Sequence, residues 1–532
     1  MRLPLSCAVA ALAIVVGVPP ATGGTLLYVT AAAAGRIYGF CTRPDGTLAS
    51  TPQVEVETRG RYPSRLRVSP ATGTLYVAED DRVEVFRIGP RGGLSRPQPD
   101  HVPVPARRGV ASRDIATDCP PDDAGCRPTM LYVPERRFGR LSAFPLDPVT
   151  GIPRSDTATS CVSADIGVDF EQVLYNGAVT PRLLYATQLV GAGGAIVAYA
   201  LDDSGQLVGE CLADDPRSGD DPDDCDVGQN PKDHPEDLDG VCDDDPASND
   251  DDDGVLTECV GRVACGLGPI GEAPACPALG GPVTCPTGSV PCPSSAGGPC
   301  LCCRPSRRGS PGVSRRVRVP GAGAMALRDN PDGVVSECNP APSPLRLYVA
   351  ARFSRQLLAF NLDAAGRFDV RRRKLREGDP RSCEPVTRSD GSPVLRQRAS
   401  SFTRSGARYQ DIVVAGTAPE VTVLASQFVN GQVDAYRVTA SRGLPERPTS
   451  TTRKDVRTTP VRLLVRDLPS TAGDARRQVL YVATGQYDRV QAYRLRSNGL
   501  PARPTPFSET APIPGSFPSD IALVEVQGAC GP

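Results

Sequence analysis

This chain predicts an all-β fold: a seven-bladed β-propeller closed by its two termini, with a Cys/Asp-rich irregular insertion between blades 4 and 5. Three observations carry the prediction. The first is a repeat in which a strand ending in Leu-Tyr-Val, or a variant, precedes a second strand bearing an aromatic. The triplets centre on Tyr28, Tyr76, Tyr132, Tyr185, Tyr348, Leu424 and Tyr481, and the aromatics Phe40, Phe86, Phe144, Tyr199, Phe360, Tyr436 and Tyr493 follow 12, 10, 12, 14, 12, 12 and 12 residues later. The second is a matching set of seven short strands that start near Arg65, Asp114, Gln172, Ala324, Asp411, Arg462 and Asp520. The third is a pair of leftovers. The strand near Thr25 to Thr30 has no inner strand before it, and Phe517 to Val526 has no partner after it, so together they complete one blade and leave no sheet edge unpaired.

Each unit justifies its strands in turn. A small all-strand unit cannot bury both faces alone, so neighbours must stack. The innermost strand follows a Pro, Ser or Gly turn, the Leu-Tyr-Val strand comes second and the aromatic strand third. A turn such as Pro44-Asp45-Gly46 or Asn498-Gly499 then leads to the outer edge. Successive triplet centres lie 48, 56, 53, 163, 76 and 57 residues apart, so one gap is about a hundred residues too long. Domain boundaries follow: 1–23 a leader, 24–210 the first part of the propeller, 211–319 the insertion and 320–532 the second part. The stretch between Val370 and Tyr409 reads as a long surface loop.

The leader has Arg2, an apolar run from Leu3 to Val18, and small residues at Ala21 and Gly23. That pattern is a secretory signal peptide, which predicts a secreted, periplasmic or cell-surface protein without a membrane span after its removal. Nineteen cysteines become eighteen once Cys7 is lost, and an even number in an exported chain predicts disulfides. Ten of them fall between Cys225 and Cys303, the density of a disulfide scaffold. The formal charge of −2 hides acids massed between Asp214 and Glu258 and arginines from 304 to 318, so net charge gives no case for a nucleic-acid partner.

Two acidic runs in the insertion place oxygen ligands at alternate positions before a glycine. Asp237, Asp239 and Asp243 belong to one; Asn249, Asp251 and Asp253, followed by Gly254, belong to the other. Such spacing suits calcium, because a tight turn aims several carboxylates at one hard cation. With Asn249 as position one, position twelve is Val260 rather than a bidentate glutamate, so a calcium loop and a solvated acidic loop both stand.

Aligned on their first core apolar residue, the inner strands bring Arg65, Asp114, Gln172, Ala324, Asp411, Arg462 and Asp520 to equivalent places around the central channel. Signs alternate along Asp411, Arg462, Asp520, Arg65 and Asp114. Such an arc either clasps a zwitterionic or carboxylate ligand through its arginines or pairs internally to fill a narrow channel.

The run Pro63-Ser64-Arg65-Leu66-Arg67-Val68-Ser69-Pro70, followed by Gly73-Thr74-Leu75-Tyr76-Val77, resembles the repeat of YVTN and lactonase-like propellers, over residues 25–210 and 320–528. In that superfamily some members resemble 6-phosphogluconolactonases and many others are exported binding proteins. The resemblance therefore implies the propeller, and either a binding role or a lactone hydrolase with its site in the central cavity. Histidines are few for the enzyme branch: His101, in a connecting segment, and His234, in the insertion. There is no G-x-S-x-G elbow, phosphate-binding glycine loop or H-E-x-x-H motif. The first expectation is a binding or interaction module for an unidentified protein or small molecule, with calcium as the candidate cofactor. The alternative is a lactonase-like hydrolase.

Overall fold

The computed structural model describes residues 24–103, 114–207, 290–292, 301–303, 316–318, 322–329, 345–368, 397–402, 408–438, 447–526 and 530, less some short stretches within these ranges. Among them the strands form seven blade sheets, each antiparallel, and one short hairpin of Val290–Cys292 with Leu301–Cys303. Blade 1 is built from both ends of the chain. From the inside outward it runs Pro518–Val526, Gly24–Ala31, Arg36–Thr42 and Val54–Glu57. The closing pair matches Leu26 with Val524 and Val29 with Ile521, as the two leftover strands required.

Blades 2 to 7 start from the inner strands Arg65–Ser69, Ala116–Thr117, Val168–Asn176, Ala322–Asp329, Tyr409–Thr417 and Pro460–Asp467. The repeat spacing now has a cause. In every blade the first residue of the triplet lies opposite the aromatic of the third strand: Leu27 opposite Phe40, Leu75 opposite Phe86, Leu131 opposite Phe144, Leu184 opposite Tyr199, Leu347 opposite Phe360, Val423 opposite Tyr436 and Leu480 opposite Tyr493. Cross-strand partners share a face, so each pair packs together on one side while the central tyrosine points to the other.

The apolar core is divided among the seams. Leu66, Leu75 and Phe86 of blade 2 pack with Leu26, Tyr28 and Val524 of blade 1, and Tyr76, Val83 and Val85 of blade 2 pack with Leu131, Val133 and Phe144 of blade 3. The same holds at the other five seams. Each blade therefore buries its two faces only against its neighbours, and burial at about 25 cal/mol per Å2 of apolar surface holds the ring together.

Several expectations change in detail. The inner strand of blade 3 is confined to Ala116–Thr117, with Asp114 and Ile115 just ahead of it. His101 is part of a short outer strand, His101–Pro103, paired with the third strand of blade 2, rather than of a connection. Gln397–Phe402, inside the stretch read as a loop, is the outer strand of blade 5. Arg316–Arg318 pairs with Ala195–Val197 as the outer strand of blade 4, so the long excursion leaves this blade after its third strand and returns to finish it. The leader 1–23, the candidate calcium ligands Asp237, Asp239, Asp243, Asn249, Asp251 and Asp253, and His234 lie outside the described residues.

Candidate site in the central channel

Six polar residues stand at the inner strands, and four of them sit at a local irregularity of the ladder. The inner ladder slips register beside Gln172, Asp411, Arg462 and Asp520, and also beside Ala324. A bulge of this kind re-aims one side chain and leaves an amide without its ladder partner. Hydroxyls on the second strand take up those amides: Thr187 Oγ1 accepts from Gln172 N at 2.9 Å, and Ser426 Oγ accepts from Asp411 N at 2.9 Å.

Each aspartate then divides its two oxygens between duties. One oxygen accepts the backbone N–H of the next blade's first core residue: Leu66 N to Asp520 Oδ2 at 2.6 Å, Val173 N to Asp114 Oδ2 at 3.0 Å and Leu463 N to Asp411 Oδ2 at 2.7 Å. Gln172 repeats the pattern, its Oε1 accepting from Met325 N. The other oxygen meets an arginine. Arg462 bridges Asp411 at 2.8 Å and Asp520 at 2.6 Å, while Arg65 lies 3.0 Å from Asp114 and 3.7 Å from Asp520. These contacts run without a break from Asp411 through Arg462, Asp520 and Arg65 to Asp114. The arc ends in the amide link through Gln172, and Ala324 supplies no polar group at the seventh position.

Burial sets the electrostatics of this arc. The side chains of Asp114, Asp411 and Asp520 are 6%, 3% and 2% exposed, those of Arg65 and Arg462 14% and 20%. Burial pushes the Asp114 carboxyl above its ordinary range, opposed by the charges of Arg65 and Arg462. For Arg462 burial works against the charge, yet Asp411, Asp520 and Asp114 outweigh it and hold the guanidinium more firmly protonated. Three carboxylates against two guanidinium groups suit internal pairing, because each charge already has an opposite partner and each aspartate a backbone donor.

A second ring of contacts escaped the sequence reading. The triplet tyrosine of one blade donates to a turn carbonyl of the next: Tyr28 to Gly92 at 2.6 Å, Tyr76 to Gly151 at 2.6 Å, Tyr132 to Gly205 at 2.7 Å, Tyr481 to Gly46 at 3.2 Å, and Tyr185 to Gly366. These glycines have φ between 66° and 86°, as the turn demands. Blade 6 has Leu424 in place of the tyrosine, and its seam with blade 7 is held instead by Thr422 Oγ1 donating to Asn498 O at 2.6 Å. The recurring Gly in the turn after each third strand was the available signal.

Two disulfides also lie outside the expected cysteine-rich stretch. Cys41 bonds to Cys530, and Cys119 to Cys126. The first ties the third strand of blade 1 to the chain just beyond the closing strand. Among the described residues no group of three or more His, Cys, Asp or Glu could hold a metal ion, and no helix is long and apolar enough to cross a membrane.

No family model matches this chain, and no curated protein matches it. Solved structures do. A protein of Lactobacillus plantarum is 12% identical, with a TM-score of 0.50, over 95% of this chain and 100% of that one. Two candidate 6-phosphogluconolactonases are similar: one from Bacteroides uniformis at 12% identity and TM-score 0.49, over 94% and 99% of the two chains, and one from Bacteroides fragilis at 13% and 0.49, over 95% and 99%. At these identities the likeness is one of fold. The seven-bladed propeller expected from the repeat is what the strand pairing shows, and its structural neighbours include lactonase-like proteins.

Proposed function

We propose that this protein is an exported binding module in which the propeller is a rigid platform, rather than a lactone hydrolase. The observation that carries the reading is the internal pairing of the channel arc: Asp114, Asp411 and Asp520 each meet an arginine and a backbone amide within the protein, and only Asp520 Oδ1, beside Arg462 and Arg65, lacks a well-aligned hydrogen bond. A hydrolase needs a base or nucleophile that can leave its resting partners for the substrate, and each of these carboxylates is tied both to a backbone amide that joins two blades and to an arginine. His101 is not at the channel: it stands on the outer strand of blade 2, its Nδ1 2.9 Å from Asp100. Disulfides at Cys41–Cys530 and Cys119–Cys126 support the exported reading, because such bonds persist in oxidising compartments. Calcium bound through Asp237, Asp239, Asp243, Asn249, Asp251 and Asp253 is part of the proposal.

The test is a lactone screen, phosphorylated sugar lactones included, run with and without millimolar calcium, alongside melts of Arg65→Ala and Arg462→Ala. The expected result is no turnover, with Arg462→Ala costing about 3–5 kcal/mol if its partners are left fully buried and less where water enters. Turnover that is lost in Arg462→Ala at unchanged melting temperature would overturn the reading in favour of the hydrolase. Calorimetry that shows no heat at millimolar calcium would remove calcium from it.

A further inference from the structure

Glu79 lies where blade 2's second strand turns toward its third, and it is 0% exposed. Neither carboxyl oxygen meets a hydrogen-bond donor in good geometry. The group presses on Gly60: a Cβ at that glycine would sit 1.9 Å from Glu79 Oε2. Gly60 belongs to the connection between the outer strand of blade 1, Val54–Glu57, and the inner strand of blade 2, Arg65–Ser69. A side chain larger than hydrogen would not fit there.

Glu84 reaches the same stretch from the third strand of blade 2. It too is 0% exposed; its Oε2 accepts from Arg59 N at 3.0 Å and its Oε1 pairs with Arg96 at 2.7 Å. Two of the nearby cations among the described residues are engaged elsewhere. Arg96 is on Glu84, and the Arg59 guanidinium is on Asp100, which also holds His101. Burial and then the charge of Glu84 push the Glu79 carboxyl up to about 8, against smaller opposing pulls from the Thr58 hydroxyl, the Gly60 N–H and Arg82.

We propose that Glu79 is a proton-operated latch on the connection that leads into blade 2, through Thr58–Gly60 and Tyr62–Ser64: neutral, it seats against Gly60, and ionised, it is driven off by Glu84 and lets the connection go. That connection carries Tyr62, exposed and left-handed at φ 55°, and leads directly into Arg65 of the channel arc. Its Pro63 carbonyl accepts from Ser519 Oγ at 2.6 Å, so its release also loosens the approach to Asp520. The direction with pH follows from linkage. The folded state keeps this proton to a higher pH than the unfolded chain, so the latch weakens as pH rises from about 4.5 and is open above about 8.

Hydrogen exchange of the whole chain, read by mass spectrometry at pH 6 and pH 9 and corrected for intrinsic rates, tests the latch. In the native protein, amides from Thr58 to Ser64 lose about tenfold or more in protection at the higher pH, while the triplet strands do not change. Glu79→Gln, or Glu79→Met should the first fail to fold, keeps its protection at both. Equal protection of the native connection at the two pH values, or the same loss in a neutral variant, would overturn the proposal.

Discussion

The hydroxyl of Tyr76 spans two blades: its ring is fully buried and its oxygen holds the carbonyl of Gly151. Tyr76→Phe removes that bond and leaves the carbonyl buried, so chemical denaturation should show a loss of about 1 kcal/mol, up to about 3 if no water takes its place. Gly151→Ala should cost more. The residue sits at φ 66°, and an added Cβ would lie 2.9 Å from the same hydroxyl and 2.7 Å from Thr72 Oγ1. In that turn Asp147 accepts from the amides of Val149 and Thr150 and from the Thr150 hydroxyl, which, Thr150 N–H foremost, pull its carboxyl down to about 2. A lowered folded value gives stability that is present above the unfolded value near 4 and lost as pH falls through about 2. Asp147→Asn should therefore destabilise the native protein at pH 6, with the difference from wild type shrinking toward zero at pH 2; a constant difference across melts in that range would contradict the assignment.

Elements differ in how openly the sequence declares them. The second and third strands are legible because their apolar pattern is dictated by burial on both faces, and Leu75 opposite Phe86 is the same contact as Leu480 opposite Tyr493. The inner strands could be aligned because one polar residue precedes the first core apolar one, which is how Arg65, Asp114, Gln172, Asp411, Arg462 and Asp520 came to one arc. Whether that arc pairs or binds depends on distances, and no periodicity encodes them. Arg316–Arg318 looked like part of a basic run because a strand of three residues is too short to show an alternating pattern. Pairing of Cys41 with Cys530 was equally out of reach, since they are 489 residues apart and eighteen cysteines allow many connectivities. Cys530→Ser should lower unfolding stability by about 2–4 kcal/mol under oxidising conditions and have no effect once the native protein is reduced.

At the scale of the molecule, closure and excursion should respond differently to deletion. Truncation after residue 517 removes the strand that pairs with Gly24–Ala31, strips Ile521 and Val524 from two seams and exposes an edge. Size-exclusion chromatography should find the product aggregated or unfolded. Replacing 208–315 by a short turn should leave the native elution behaviour and melting unchanged, because Arg316–Arg318 still reaches Ala195–Val197. The tyrosine contacts add something about ancestry. Each runs forward, from the second strand of one blade to the turn of the next, and so do the amide links from Asp520, Asp114, Gln172 and Asp411. A stretch of sequence copied or lost in whole periods, cut at the seams that share this contact, would therefore carry a matching donor and acceptor at its new joints. A cut at the seam after Leu424 would not, because there the donor is the Thr422 hydroxyl.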